Sequence, residues 1–167
     1  MVNNNAFSPQ VGDIILVRKL DLGNIFLMLL SWFAWTHSAL YSGDGKTTEL
    51  RYKTALTHKP FSTYRKRPTR VLRFTALNDS MRQELKFVMD RPCAFMFDKI
   101  GMITPLVVDE RKFLCYSYIE WVYSEALGYD LNMKKIFRNN SAYMKSIGLE
   151  VVWDGMGLGV GTASEAY

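Results

Sequence analysis

The sequence predicts an α+β domain, on three observations. Short runs of apolar or alternating residues recur at 13–18, 37–42, 47–52 and 71–74, with turn residues between the middle pair. Stretches with helical apolar spacing lie apart from these runs, near 80–90 and from 113 onward, rather than alternating with strands one by one as a parallel sheet requires. The composition, 49% hydrophobic and 22% charged over 167 residues, favours a folded domain with a real core over disorder.

In chain order, Asp13-Ile14-Ile15-Leu16-Val17-Arg18 reads as a short buried strand introduced by Gly12. Ile25 to Trp35 is the longest apolar run, broken only by Ser31, and reads as a helix over about 24–34. It is well short of the roughly 18 residues that span a bilayer. A buried helix and a helix that dips into a membrane interface or lines an apolar cleft both fit it. His37 to Ser42 and Thr47 to Tyr52 form a hairpin around Gly43-Asp44-Gly45, with a bulge expected at one of the glycines. Residues 53–69, with two prolines and Tyr64-Arg65-Lys66-Arg67-Pro68, carry a loop signal, and Val71-Leu72-Arg73-Phe74 a strand.

Asn78-Asp79-Ser80 supplies capping chemistry for a helix over about 80–90, with Met81, Leu85, Val88 and Met89 on its inner face. Residues 91–112 look irregular around Pro92 and Pro105, with a short helix near Phe97 to Met102. A helix opens at Phe113-Leu114-Cys115, shows Ile119, Val122, Tyr123 and Ala126 on one face, and stops at Gly128. One or two short helical pieces follow within 129–147, then a last strand at Val151-Val152-Trp153. Residues 1–153 read as a single domain, and 154–167, with four glycines, as a flexible tail.

The formal charge is +5 and the pI about 9.2, which permits attraction to phosphates or anionic headgroups without demanding it. Two cysteines, Cys93 and Cys115, are too few for a disulfide framework, and a reducing compartment is the simpler reading. The start of the chain lacks the basic-then-apolar order of a signal peptide. A cytoplasmic protein of bacterial or phage type is expected, in the host cytoplasm if phage-encoded.

Cys115 falls in the first turn of an amphipathic helix, where the dipole and unpaired N–H groups favour a thiolate. Of the two histidines, His37 opens a predicted strand and Glu49 lies in its hairpin partner. A turn at Gly43-Asp44-Gly45 sets them near one another, and their even separation allows both to face one side. A carboxylate on one imidazole nitrogen orients the ring and leaves the other nitrogen for a thiol proton. That is a Cys115/His37/Glu49 constellation in the order His, Glu, Cys. His58, in Thr57-His58-Lys59-Pro60, reads as a surface histidine, Cys93 as a packed apolar residue, and Asp109-Glu110 as a solvated turn.

These stretches resemble the circularly permuted papain-like hydrolases of the NlpC superfamily, with lecithin:retinol acyltransferase as a more distant relative. The likeness covers roughly residues 11–128. It runs through Val11-Gly12-Asp13-Ile14-Ile15-Leu16, Trp35-Thr36-His37-Ser38-Ala39-Leu40-Tyr41, the hairpin Gly43 to Leu50, Phe95-Met96-Phe97-Asp98-Lys99-Ile100-Gly101 and Phe113-Leu114-Cys115-Tyr116-Ser117. It departs from the family where Cys-Ser-Glu becomes Cys115-Tyr116-Ser117, with Glu120 further along, and where Leu114 replaces an aromatic residue. The resemblance implies a small antiparallel sheet or half-barrel with the nucleophile helix packed on it. It also implies thiol chemistry on an amide or ester, with Cys115 as nucleophile, His37 as base and acid, and Glu49 as orienter. No cofactor or metal is implied, and the scattered histidines and cysteines lack ligand-like spacing. Substrates of that chemistry are a peptide or isopeptide amide, or a lipid ester or amide given the apolar run 25–35.

The alternative is a non-catalytic binding module. Arg65, Lys66, Arg67, Arg70 and Arg73, flanked by Tyr64 and Phe74, fit nucleic acid or an anionic membrane as well as a solvated basic loop. No obligate protein partner is evident.

Overall fold

The computed structural model describes residues 7–18, 32–50, 56–64, 67–91, 96–97, 112–113 and 115–155. Its centre is β1 (Ile14–Val17), whose four residues are all fully buried. An unbroken apolar run is what a strand covered on both faces needs. β1 pairs antiparallel with β2 (His37–Gly43) on one side and β5 (Thr69–Phe74) on the other. β3 (Lys46–Leu50) and β4 (Leu56–Pro60) extend the sheet past β2, and β8 (Leu149–Gly155) extends it past β5. The result is a six-stranded antiparallel sheet in the order β4-β3-β2-β1-β5-β8.

Alternation along the strands divides the core. Ile14, Leu16, Leu40 and Leu72 face four helices: α1 (Asp79–Asp90), α2 (Cys115–Leu127), α3 (Met133–Phe137) and α4 (Ser141–Ser146). Ile15, Val17, Ala39, Tyr41 and Val71 face the opposite side, beneath Phe61 and Tyr64 of a 3-10 turn (Phe61–Thr63) and its cap. Helices segregated on one face of an antiparallel sheet define the α+β class.

The local reasons are specific. Asn78 caps α1 by accepting the Met81 N–H at 2.9 Å, and Leu85, Val88 and Met89 are its buried face. Gly12 has φ +89°, and a Cβ there would lie 2.7 Å from Leu85 Cδ1, so a glycine lets α1 approach the entry to β1. The hairpin carries its irregularity between Tyr41 and Gly43, with φ of +100°, +51° and +70° at Gly43, Asp44 and Gly45. Gly128, at φ +67°, ends α2 and donates its N–H to Ser124 O at 2.9 Å.

Four expectations need correction. Residues 56–60, within the stretch read as loop, form the edge strand β4; an edge tolerates Pro60 because the missing N–H breaks no inner ladder. Phe97 is not helical: Met96–Phe97 (β6) pairs in parallel with Lys112–Phe113 (β7). The helix bearing Cys115 accordingly starts at Cys115 itself and not at Phe113. β8 runs to Gly155, two residues into the stretch expected to be a tail. Most of the apolar run 25–35 lies outside the described residues, as do 98–111 and 156–167; Trp32–Ala34 are turn and irregular.

Candidate active site

His37 is the first residue of β2 and Glu49 the fourth of β3. The β2–β3 register, Leu40 to Thr48 and Tyr41 to Thr47, puts Glu49 on the same side of the sheet as Tyr41. His37 Nε2 lies 2.5 Å from Glu49 Oε2, with the histidine 6% exposed and the glutamate fully buried. Cys115, the first residue of α2, is 9% exposed, and its sulfur and the His37 ring are near enough to act on each other's ionisation. Glu49 occupies Nε2, which leaves Nδ1 for the sulfur. The three residues named from the sequence, thiol, imidazole and carboxylate, are thus brought together.

Burial alone would raise the Cys115 thiol. The neighbouring His37, through its polarity and charge, with Ser38 adding to it, outweighs burial and holds the thiol below its ordinary value. Burial alone would lower the His37 imidazole. The polarity and charge of Cys115 and the hydrogen bond and charge of Glu49 outweigh that and hold it above its ordinary value. The two shifts together favour a thiolate–imidazolium pair. The position of the sulfur in the first turn of a thirteen-residue helix acts in the same direction.

The surroundings contain residues that the sequence reading did not assign to the site. Tyr64, 1% exposed, donates its hydroxyl to Glu49 Oε2 at 2.5 Å. Lys59 Nζ stands 3.5 Å from Glu49 Oε1. Ser38, buried on β2, faces the sulfur. Tyr116, next in the chain, is pushed up to about 12 by burial, with the charges of Glu120 and Cys115 adding to it. No local motif marks Tyr64: it lies 15 residues from Glu49 and meets it only because the 3-10 turn folds back over β3.

Other singled-out residues have structural employment. Glu120 Oε1 accepts the Met133 N–H at 2.7 Å and so ties α2 to α3. His58 is exposed on β4 and its Nδ1 lies 3.1 Å from Thr48 Oγ1. Of the basic cluster, Arg70 is held by Asp154 and Asn139. Arg73 clamps the buried Asp13 with two hydrogen bonds of 2.8 and 2.7 Å. Arg67 is exposed; Arg65 and Lys66 lie outside the described residues, as do Cys93, Asp109 and Glu110. Among the described residues, no helix is long and apolar enough to cross a membrane.

Fold and site define a class: an α+β chain with a helix-borne thiol set against an imidazole–carboxylate pair on a sheet. No protein-family model matches the sequence. No curated protein matches it either. Among solved structures the fold is similar to the crystal structure of metalloprotein yiiX from Escherichia coli O157:H7, DUF1105, at a TM-score of 0.65 and 16% identity, covering 89% of this chain and 98% of that one. At that identity the likeness speaks for the fold alone.

This finding corrects the expected kinship with the NlpC superfamily and lecithin:retinol acyltransferase, since the neighbour belongs to another family. The physical reason is that each motif used was generic. A Gly-Asp entry to a strand, a hairpin turn and a helix-borne cysteine recur wherever a small sheet supports a helix, and their order reports a geometry rather than a lineage.

Proposed function

We propose that the chain is a thiol-dependent hydrolase or acyltransferase acting on an amide or ester through an acyl-enzyme on Cys115. The observation that carries this reading is the buried set Cys115, His37 and Glu49, in which each shift favours the charged pair. A nucleophile adjacent to a base, with a third group orienting that base, is the working arrangement of acyl transfer.

The Cys115 thiolate attacks the carbonyl carbon. The tetrahedral oxyanion is met by the Cys115 main-chain N–H at the start of α2. His37 gives its Nδ1 proton to the leaving amine or alkoxide as the C–N or C–O bond breaks, and a thioester remains. Water or an acceptor hydroxyl or amine then loses a proton to His37 and attacks the thioester, which releases the acid or new ester or amide and regenerates the thiolate. Substrates of this class are peptide or isopeptide amides and lipid esters or amides.

The neighbour's description as a metalloprotein poses the question of a metal here. Among the described residues, no group of three or more His, Cys, Asp or Glu side chains is placed to hold an ion. One nitrogen of His37 is occupied by Glu49, and the ring interacts with Cys115. This donor set does not fit a metal site.

The test is the pH dependence of iodoacetamide labelling, mapped by peptide mass to separate Cys115 from Cys93, in the wild type and in His37→Ala. Because the thiol is held low, labelling of Cys115 is expected to reach half its maximum below the ordinary thiol value of about 8.5. His37→Ala is expected to remove that advantage. A Cys115 that reacts like an ordinary thiol in both proteins would sink the proposal. If the depressed midpoint is found, incubation with activated esters and mass detection of a Cys115 thioester completes the test.

A further inference from the structure

We propose that Tyr64 is a positioning residue for this chemistry, whose hydroxyl keeps Glu49 ionised and aimed at His37. The inference rests on the thiol reading above and deepens it. Glu49 is fully buried, and a buried carboxylate without strong donors takes up a proton instead of bearing charge. Among the described residues, its donors include His37 Nε2 and the Tyr64 hydroxyl, both 2.5 Å from Oε2. Lys59, partly exposed, stands 3.5 Å from Oε1.

Tyr64 is built to hold its place. Its N–H donates to Phe61 O at 3.0 Å, and its carbonyl accepts from Thr69 Oγ1 at 2.9 Å and from the Arg67 N–H at 3.0 Å. It belongs to the buried apolar cluster that includes Ile15, Val17, Ala39, Tyr41, Phe61 and Val71. That apolar site is one a phenylalanine would fill equally well. The hydroxyl is the part that packing does not explain, and it points at the carboxylate.

The relay therefore runs from Tyr64 through Glu49 and His37 to the sulfur. Among the described residues, the charged and titratable groups around it include His37 from β2, Lys59 from β4 and Tyr64 from the turn against Glu49, and Tyr116 on α2, backed by Glu120, against Cys115. Without the hydroxyl, charge on Glu49 becomes more costly and the carboxylate competes for the imidazolium proton. The thiolate then loses its partner.

The experiment compares wild type, Tyr64→Phe and Tyr64→3-fluorotyrosine, the last a stronger donor of nearly the same shape. Each is labelled with iodoacetamide across pH, with the His37 ring titration followed by nitrogen NMR and thermal melting to check folding. Tyr64→Phe is expected to raise the Cys115 midpoint by about one unit, the size of one lost charge-assisted hydrogen bond. The fluorinated residue is expected to lower it, and it carries the test alone if the phenylalanine variant does not fold. A midpoint that stays put in the folded variants overturns the role of Tyr64, since a packing residue would leave the titration unmoved. His37→Ala, run alongside, separates the two failures. If the wild type shows no depressed midpoint for that variant to abolish, the thiol reading fails and this inference with it. If it does and the Tyr64 variants do not move it, only this inference fails.

Discussion

Replacing Glu49 with glutamine isolates the contribution of the carboxylate charge, because the side chain keeps its size and can still accept a hydrogen bond. In the protein His37 Nε2 and Tyr64 Oη both lie 2.5 Å from Oε2, and the residue is fully buried, so little solvent screens the charge. A hydrogen bond to a charged group is worth about 1.5–3 kcal/mol and a neutral one about 0.5–1.5. The exchange therefore costs the imidazolium about 1–2 kcal/mol of stabilisation, and at 1.36 kcal/mol per unit that is about one pKa unit. The sign follows from the pair. A weaker imidazolium holds the thiolate less well, so the Cys115 midpoint rises and the His37 midpoint falls. At a pH below the wild-type midpoint, labelling of Cys115 is expected to slow about tenfold. Iodoacetamide rates across pH, mapped to the peptide containing Cys115, provide the assay. Equal midpoints in Glu49→Gln and wild type, with both folded by circular dichroism, would refute the reasoning, because the charge would then do nothing for the pair.

Two further predictions concern the frame that carries the site. Arg73→Met removes the clamp on Asp13, which is fully buried and is left with the Gln10 N–H at 2.8 Å; urea unfolding is expected to show a loss of about 3–5 kcal/mol, and a loss under 1 kcal/mol would mean the charge is not buried as described. Gly12→Ala sets a Cβ 2.7 Å from Leu85 Cδ1 at a φ of +89°, and overpacking with backbone strain is expected to cost about 2–4 kcal/mol in the same assay, whereas a neutral result would show that α1 shifts freely.

What could be read in the sequence was what local chemistry dictates. β1 announces itself because a doubly covered strand is apolar throughout, and α1 because Asn78 caps it and Leu85, Val88 and Met89 repeat at helical spacing. The hairpin with its bulge follows from Gly43-Asp44-Gly45, and it is this hairpin that puts His37 beside Glu49. β4 could not be read in the same way. It is an edge strand of half-exposed and exposed residues, made a strand by pairing with β3 rather than by its own pattern. Tyr64 stayed hidden for a related reason. Its neighbours in sequence are basic and suggest a solvated loop, and only the return of the turn over the sheet buries its ring and gives its hydroxyl a partner. The ion pairs of Arg70 and Arg73 could not be read from the basic cluster, because they run to Asp154 and Asp13, 84 and 60 residues away. Distances of that order leave no periodic trace.

The sheet order has a consequence for how the chain is assembled. β1 is the earliest strand yet lies in the middle, so the sheet grows outward from it in both directions. On one side β2 returns to β1 after a longer stretch of chain, and β3 and β4 then add through short connections, so the imidazole and carboxylate are joined by local contacts within one hairpin. On the other side β5 must wait for β8, whose Asp154 meets Arg70 across 84 residues. Closing so long a loop is entropically slow. Until it closes, the open rim of β5 offers unpaired backbone groups to other chains. The half of the molecule that holds the base is thus the quick half, and the hazard of misassociation during synthesis falls on the other.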